Sequence, residues 1–416
     1  MPTTILTPSQ IETYLQDGVL VVDTIFTKDE IEAAIHGLHH TLSHEYSIDV
    51  NNLLETGYHL TSLSSTNGSG GVLDVFYSDF KLAVGSNKRL FQATTELWKA
   101  AYHHDKETLS ASTPNDDDYY KYHPYGPFDC NKGYMYIDRI GYRLPSQLSI
   151  DIATRMEQQQ LRILHTTLPK SSSSSSYGHM KSKKRKGGIQ RCLTPHLDCC
   201  PDTFYTAERK SKWRPIQCFV SLTDNLEPNT GGFEAALGFH RLFDTWAKHR
   251  DTTSNSNSTS SITNRHHHHL CVGEYTHIRP KEDEEVMKAV QHVPVRKGSV
   301  VFFDNRIPHA NAYRHVGTSP RAVIYCSFLP DVHINRIYAK KQLDDYYDGK
   351  LPNDTWIRVK DEQEDHDDDD NHNDHNNTSN DFVKDLPGPI PIKNLRKNEF
   401  SFSSLGRKLM MMDPWE

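Results

Sequence analysis

Thr194-Pro195-His196-Leu197-Asp198 is the stretch that best indicates the fold and the chemistry of this chain. It places an imidazole and a carboxylate two residues apart, and His309 follows far downstream. Two imidazoles and one carboxylate can hold one face of a ferrous ion and leave its other positions open for substrate and O2. Arg321 then offers a fork of donors for a remote carboxylate. The set predicts a non-haem Fe(II), 2-oxoglutarate-dependent oxygenase with His196, Asp198 and His309 as metal ligands.

The sequence around these residues predicts a mainly β domain with flanking helices. Short apolar or aromatic runs between turn residues are typical of strands, and they occur at 19–22, 134–137, 216–222, 231–236, 298–303 and 322–329. Capping boxes at Thr7 and Thr27 and helical spacing over 87–102 and 405–410 predict four helices. Helices first and strands later favour a double-stranded β-helix (jelly roll, cupin-like). Its antiparallel strands can bring the distant histidines and Arg321 to one end.

Three polar segments are expected to be disordered insertions in one domain that spans residues 1–416. They are a Ser-rich and basic segment at 171–188, a Ser/Asn-rich segment at 252–269 that ends in four His, and an acidic segment at 360–381. Such composition cannot bury enough apolar surface to offset chain entropy. Four adjacent His residues cannot easily converge on one metal ion, so the 252–269 segment is a weak alternative metal site.

Charge and cysteine content exclude several functional classes. The formal charge is −7, but ten acidic residues fall within 361–381, and outside that segment 47 basic residues stand against 44 acidic ones. This balance gives no case for nucleic acid or membrane as a partner. Seven cysteines without a CxxC pair do not predict a disulfide framework, and the adjacent Cys199 and Cys200 are expected to be small core residues.

The expected compartment is the cytoplasm. Residues 1–18 lack the apolar core of a signal peptide, no apolar run is long enough to span a bilayer, and the C-terminus is not a peroxisomal signal. The basic cluster at 181–186 leaves nuclear import open as an alternative.

The chain also resembles the phytanoyl-CoA dioxygenase family. The resemblance is carried by 14–22, 194–198, 219–224, 229–240, 298–304, His309 and 319–322. It implies a double-stranded β-helix with Fe(II), 2-oxoglutarate and O2, with His196, Asp198 and His309 as ligands. It further implies Arg321 as the anchor of the co-substrate's distal carboxylate and Ser319 as a helper hydroxyl. Phe219 stands where the family often has Trp, and Leu237-Gly238-Phe239-His240 replaces Pro-Gly-Ser-His.

The resulting interpretation is a hydroxylase of an aliphatic C–H bond in a small molecule, with release of succinate and CO2. Gln217 and Phe219 are candidate contacts of the co-substrate. Because Asp198 keeps the carboxylate ligand, no coordination position is vacated for chloride, and a halogenase is disfavoured. Two alternatives stay open, a non-catalytic jelly-roll binding or scaffold protein and a jelly-roll protein with a structural metal. Substrate identity and oligomeric state are not predicted.

Overall fold

The computed structural model describes residues 4–64, 68–102, 123, 125–167, 187–201, 212–255, 271–272, 275–352 and 400–416. The segment expected at 360–381 lies outside these ranges, and so do 171–186 and 256–269 of the other two expected insertions. Gly187 and Gly188 are described, and a helix continues as far as Asn255.

The described strands form two six-stranded antiparallel sheets. The first has the order β1-β10-β5-β12-β3-β2, and the second has the order β7-β8-β4-β11-β6-β9. In chain order the strands are β1 Val19–Val22, β2 Val72–Leu73, β3 Gly133–Arg143, β4 His196–Leu197, β5 Ile216–Ser221, β6 Phe233–Ala236, β7 Cys271–Val272, β8 Tyr275–His277, β9 Val290–His292, β10 Val300–Asp304, β11 His309–Asn311 and β12 Arg321–Pro330.

Helices flank the sheets, as the sequence predicts. They are α1 Pro8–Asp17, α2 Lys28–Tyr46, α3 Leu53–Thr56, α4 Asp79–Gly85, α5 Lys88–Ala101, α6 Ser146–Thr167, α7 Phe243–Asn255, α8 Glu284–Ala289, α9 His333–Asp348 and α10 Ser404–Leu409. The capping boxes of α1 and α2 are confirmed, because the Thr7 and Thr27 side chains each accept a hydrogen bond from the third residue of their helix. Gly18 ends α1 in the left-handed conformation, at φ 67°.

Alternation along the strands divides the apolar residues of the first sheet between two cores. Ile324 on β12 and Val220 on β5 belong to the larger core, together with Trp98 of α5. Val323 and Phe219, which point to the other side, pack with Leu197 of the second sheet. Because successive side chains point to opposite faces, β12 also directs Arg321 into the space between the two sheets.

Candidate metal centre

Strand pairing in the second sheet brings His196, Asp198 and His309 together. His309 on β11 lies directly opposite His196 on β4, and Asp198 follows at the end of β4. Asp198 Oδ1 is 3.5 Å from His196 Nε2, and Asp198 Oδ2 is 3.7 Å from His309 Nε2. One ligand atom from each of the three side chains lies within 4.8 Å of the other two. Antiparallel pairing therefore joins groups more than a hundred residues apart in the chain.

Backbone carbonyls fix how both imidazoles face this point. His196 Nδ1 is 2.9 Å from the Thr194 carbonyl oxygen, and His309 Nδ1 is 3.0 Å from that of Ile307. A carbonyl can only accept, so each Nδ1 carries the proton and donates it. Each Nε2 is left with a free lone pair directed towards Asp198. An outer hydrogen bond of this kind is usual for histidines that bind metals, because it fixes the tautomer and the ring orientation.

Asp198 is held in its charged form. Burial alone would raise its pKa, but attraction to His196, His309 and Arg214 outweighs burial and brings the pKa to about 2. Arg214 Nη2 lies 3.7 Å from Asp198 Oδ2. The Gln217 amide adds to the lowering, although its Nε2 has no hydrogen-bond partner that satisfies distance and angle. The carboxylate is thus negative throughout the physiological pH range.

His309 is held neutral. Burial and the neighbouring His196 imidazole lower the pKa of His309 to about 4. Its ring packs against Phe303 and Phe233, with centroids 4.7 Å and 5.9 Å away. A neutral imidazole is the form that binds a metal ion.

The turn that leads into His309 is braced by a buried ion pair. Arg306 donates from Nε and Nη2 to the two carboxylate oxygens of Asp304, each at 2.8 Å, and the Tyr102 hydroxyl donates to the same carboxylate. Burial opposes the charge on Asp304, but Arg306 outweighs it, and the pKa of this carboxyl is lowered. The network fixes the backbone only a few residues before His309.

The chemistry of this donor set fits a divalent transition metal. Metal–nitrogen and metal–oxygen bonds of about 2.0–2.2 Å place two ligands of one ion at most about 4.4 Å apart. The two carboxylate–imidazole distances lie within that limit. Two imidazoles and one carboxylate leave half of an octahedron open, which is the arrangement of ferrous oxygenase sites.

Arg321 is fully buried between the sheets, at 2% exposure. Its Nη1 donates to Asn311 Oδ1 at 2.9 Å, and its guanidinium carbon lies 5.3 Å from the centre of the Phe219 ring. Its Nε has no hydrogen-bond partner, and no carboxylate of the described residues forms an ion pair with it. Burial lowers the pKa of Arg321, and Tyr325 opposes this effect. The guanidinium is thus a buried cation that still needs an anion.

Sequence reasoning named Gln217, Phe219 and Ser319 beside the triad and Arg321, and the structure brings two of these three into the inter-sheet space. Gln217 lies near Asp198, and Phe219 lies under Arg321. Ser319 is exposed and makes no side-chain hydrogen bond with Arg321.

Sequence reasoning missed Asn311, Tyr325, Arg214 and Tyr275. Tyr275 stacks on the His196 ring with centroids 4.5 Å apart. For Asn311 a signal was present, because a residue two positions after His309 on a strand must share its face.

Three minor expectations from the sequence can also be compared with the structure. Cys199 and Cys200 are buried as expected, but Cys200 is disulfide-bonded and is not simply a small core residue. Tyr134 and Tyr136, which lie in the run at 134–137 that was expected to be a strand, belong to a small apolar cluster. The four consecutive histidines at 266–269 lie outside the described residues.

Comparisons with known proteins give the fold and no family. No protein-family model matches the sequence, and no curated protein matches it, so the resemblance to phytanoyl-CoA dioxygenases gains no support there. Among solved structures, GlcNAc Inducible Gene 2 (GIG2, DUF1479) from Candida albicans is 15% identical, with 84% of this chain and 69% of that chain covered and a TM-score of 0.51. A putative oxidoreductase from Salmonella typhimurium LT2 is 13% identical, with 84% and 76% covered and a TM-score of 0.51.

The chain therefore shares the fold of these two proteins. The structural matches also include a non-heme alpha ketoglutarate dependent carbocyclase, SnoK from nogalamycin biosynthesis. It is 12% identical, with 79% of this chain and 87% of that chain covered and a TM-score of 0.38. That score is too low to transfer any property. No helix in the described part of the chain is long and apolar enough to cross a membrane.

Proposed function

We propose that this protein is a single-domain Fe(II)/2-oxoglutarate-dependent oxygenase that hydroxylates an aliphatic C–H bond of a small molecule, with release of succinate and CO2. In this proposal the two sheets are the halves of a double-stranded β-helix. The observation that carries it is the combination of an open His-Asp-His cluster with a buried arginine that has no anionic partner among the described residues. A His-Asp-His cluster alone, or a buried arginine alone, also occurs in structural roles. Together they match the needs of one metal ion and one dicarboxylate.

His196, Asp198 and His309 would hold the ferrous ion, which supplies the activation of O2 that amino-acid side chains cannot provide. Asp198 contributes a negative charge without a proton to lose. The two imidazoles contribute their Nε2 nitrogens, because the carbonyl groups of Thr194 and Ile307 accept hydrogen bonds from Nδ1. No reorganisation of the protein is therefore needed before the metal binds.

Arg321 would bind the distal carboxylate of 2-oxoglutarate. Its Nε points to no acceptor, while Asn311 holds Nη1 and fixes the plane of the guanidinium. Phe219 packs on the face of that plane and excludes water from it. A charged hydrogen bond in such a dry site is stronger than one in solvent. Asn311 links the two halves of the site, because it also follows the ligand His309 on β11.

Metal analysis and turnover test the proposal together. Anaerobically purified protein should bind one Fe(II) and form succinate from 2-oxoglutarate under O2. His196→Ala and His309→Ala should lose both the iron and the succinate, whereas His240→Ala should keep both. His240 is a suitable control because it is buried like the ligands but lies on a short turn outside the cluster. Iron binding without succinate formation would favour a non-catalytic or structural-metal protein, and wild-type iron affinity in His196→Ala would refute the ligand assignment.

A further inference from the structure

A second buried arginine lies beside Arg321. Arg143, the last residue of β3, is directly opposite Arg321 on β12, and residues paired in this way share one face of a sheet. Arg143 is only 4% exposed, and no carboxylate of the described residues forms an ion pair with it. Two guanidinium groups side by side in a dry space repel each other, and burial and Arg321 both lower the pKa of Arg143.

The hydrogen bonds of Arg143 leave it incompletely satisfied. Nη1 donates to the Arg191 carbonyl, and Nη2 reaches the Tyr313 carbonyl at a long 3.5 Å. Nε has no partner. Two neutral carbonyls cannot neutralise a buried positive charge, and an unpaired buried charge is costly. A single distal carboxylate at Arg321 would balance one of the two arginines and leave the other unbalanced.

The buried His315 imidazole lies within electrostatic reach of both guanidinium groups. Burial, Arg143 and Arg321 lower the pKa of this imidazole to about 4, against the opposing effect of a hydrogen bond with the Ser319 backbone. Its Nδ1 accepts from the Gly317 N–H at 3.3 Å, so the proton sits on Nε2. The region therefore contains two buried N–H donors, Nε of Arg143 and Nε of Arg321, that have no acceptor among the described residues.

A cleft of about 490 Å³ lies beside Arg143. The described residues that line it include Arg143 and Arg191 but no Asp or Glu, and they do not include Arg321, Asn311 or the metal ligands. Ser146 and Ser149, in the first turn of α6, also line it. Each of these two hydroxyls already accepts a backbone N–H, so its own proton is free to be donated. The start of a long helix adds partial positive charge.

We propose that this cleft is a second oxyanion site, separate from the co-substrate site at Arg321, and that it binds a carboxylate or phosphoryl group of a small organic anion. Arg143 is its buried cation, Arg191 its cation at the rim, and the two serine hydroxyls are further donors. The proposal rests on the surroundings of Arg143 and not on iron chemistry. It can therefore fail while the oxygenase proposal holds, and the reverse is also true.

Anion titration of metal-free protein tests the proposal. Inorganic phosphate and acetate are titrated calorimetrically, in EDTA, into the wild type, Arg143→Met, Arg321→Met and the double variant. Two sites are expected in the wild type and one in each single variant, with none in the double variant. Loss of a charged hydrogen bond corresponds to a weakening of about tenfold or more at the altered site. Arg139→Gln is the matched control, because Arg139 lies on the same strand but is paired with Asp74 at 2.8 Å.

Each outcome decides the question. Phosphate binding at the cleft assigns a phosphoryl ligand, acetate binding assigns a carboxylate ligand, and the absence of both refutes the site. Arg143→Met with two intact sites also refutes it. If Arg143→Met weakens 2-oxoglutarate binding to Mn(II)-loaded protein as much as Arg321→Met does, Arg143 belongs to the co-substrate site and the second site does not exist. Arg191→Ala removes an exposed side chain and should fold normally. If Arg143→Met does not fold, weaker anion binding at the cleft in Arg191→Ala supports the site, and unchanged binding refutes it.

Discussion

Replacing Arg321 with Lys tests whether 2-oxoglutarate binding needs the planar guanidinium of Arg321 or only its positive charge. The guanidinium is held by Asn311 at 2.9 Å and stacks on Phe219, so its free Nε has a fixed direction. Lysine keeps the charge but has neither the planar fork nor the stacking surface. Hydrogen bonds to charged groups contribute about 1.5–3 kcal/mol each. Losing one bond of a bidentate pair should therefore weaken 2-oxoglutarate binding about ten- to a hundredfold.

The assay is calorimetric titration of 2-oxoglutarate into anaerobic, Mn(II)-loaded protein, followed by the apparent KM for 2-oxoglutarate in succinate formation. Arg139→Lys serves as the control on the same sheet. Metal affinity should not change, because Arg321 touches none of the three ligands. An unaltered dissociation constant for 2-oxoglutarate in Arg321→Lys would show that the buried guanidinium does not bind this co-substrate.

Three further predictions concern stability. The folded pKa of His309, about 4, lies below the ordinary value of 6.5, so the stability that neutral His309 contributes is complete above pH 6.5 and is lost as the pH falls towards 4. Between pH 7 and pH 5, the free energy of unfolding of metal-free His309→Gln should therefore fall by about 2 kcal/mol less than that of the metal-free wild type, as measured by urea unfolding. An identical pH dependence in the two proteins would contradict the lowered pKa of His309. Short Gly/Ser linkers in place of 171–186, 256–269 or 360–381 should leave the melting temperature and succinate formation intact, and a collapse of either would identify a segment that the domain needs. Gly231→Ala should lower the free energy of unfolding by about 1–3 kcal/mol in urea unfolding. The reason is that φ of Gly231 is +74° and the new Cβ would lie 2.9 Å from His315 Cδ2. Gly126→Ala is the control and should lower the free energy of unfolding by less, because φ is +76° there but the new Cβ would lie in open space.

Local signals in the sequence predicted local structure well. Both capping boxes begin helices at the expected residues, and the apolar runs at 19–22 and 298–303 correspond to strands β1 and β10. These features depend on neighbours in the chain, and no long-range contact has to be known. The three candidate ligands could be named for the same reason, because residue type and order alone indicate a facial set.

Elements whose buried face is polar were missed. Helix α9 was not predicted because Asn335 and Gln342 interrupt its apolar period. In the fold these side chains are buried and bind backbone: Asn335 bonds to both the N–H and the carbonyl of Trp213, and Gln342 bonds to the Ile137 N–H and the Met135 carbonyl. Strand β3 was predicted only over 134–137 for a similar reason, since the charged residues after Ile137 end the apolar run while the strand continues to Arg143.

The parts of the site that the sequence does not reveal are those set by the pairing of strands. His309 opposite His196 in one sheet and Arg321 opposite Arg143 in the other make two rows of polar side chains, one row in each sheet. Asn311 joins them, because it shares the face of His309 and bonds to Arg321. A shift of one residue in either pairing would turn these side chains to the opposite face and separate the rows. A sequence that shows Arg143 and Arg321 as two unrelated charges therefore cannot reveal this row. Among the described residues neither guanidinium forms an ion pair with a carboxylate, and it is the pairing of β3 with β12 that places the two cations opposite each other.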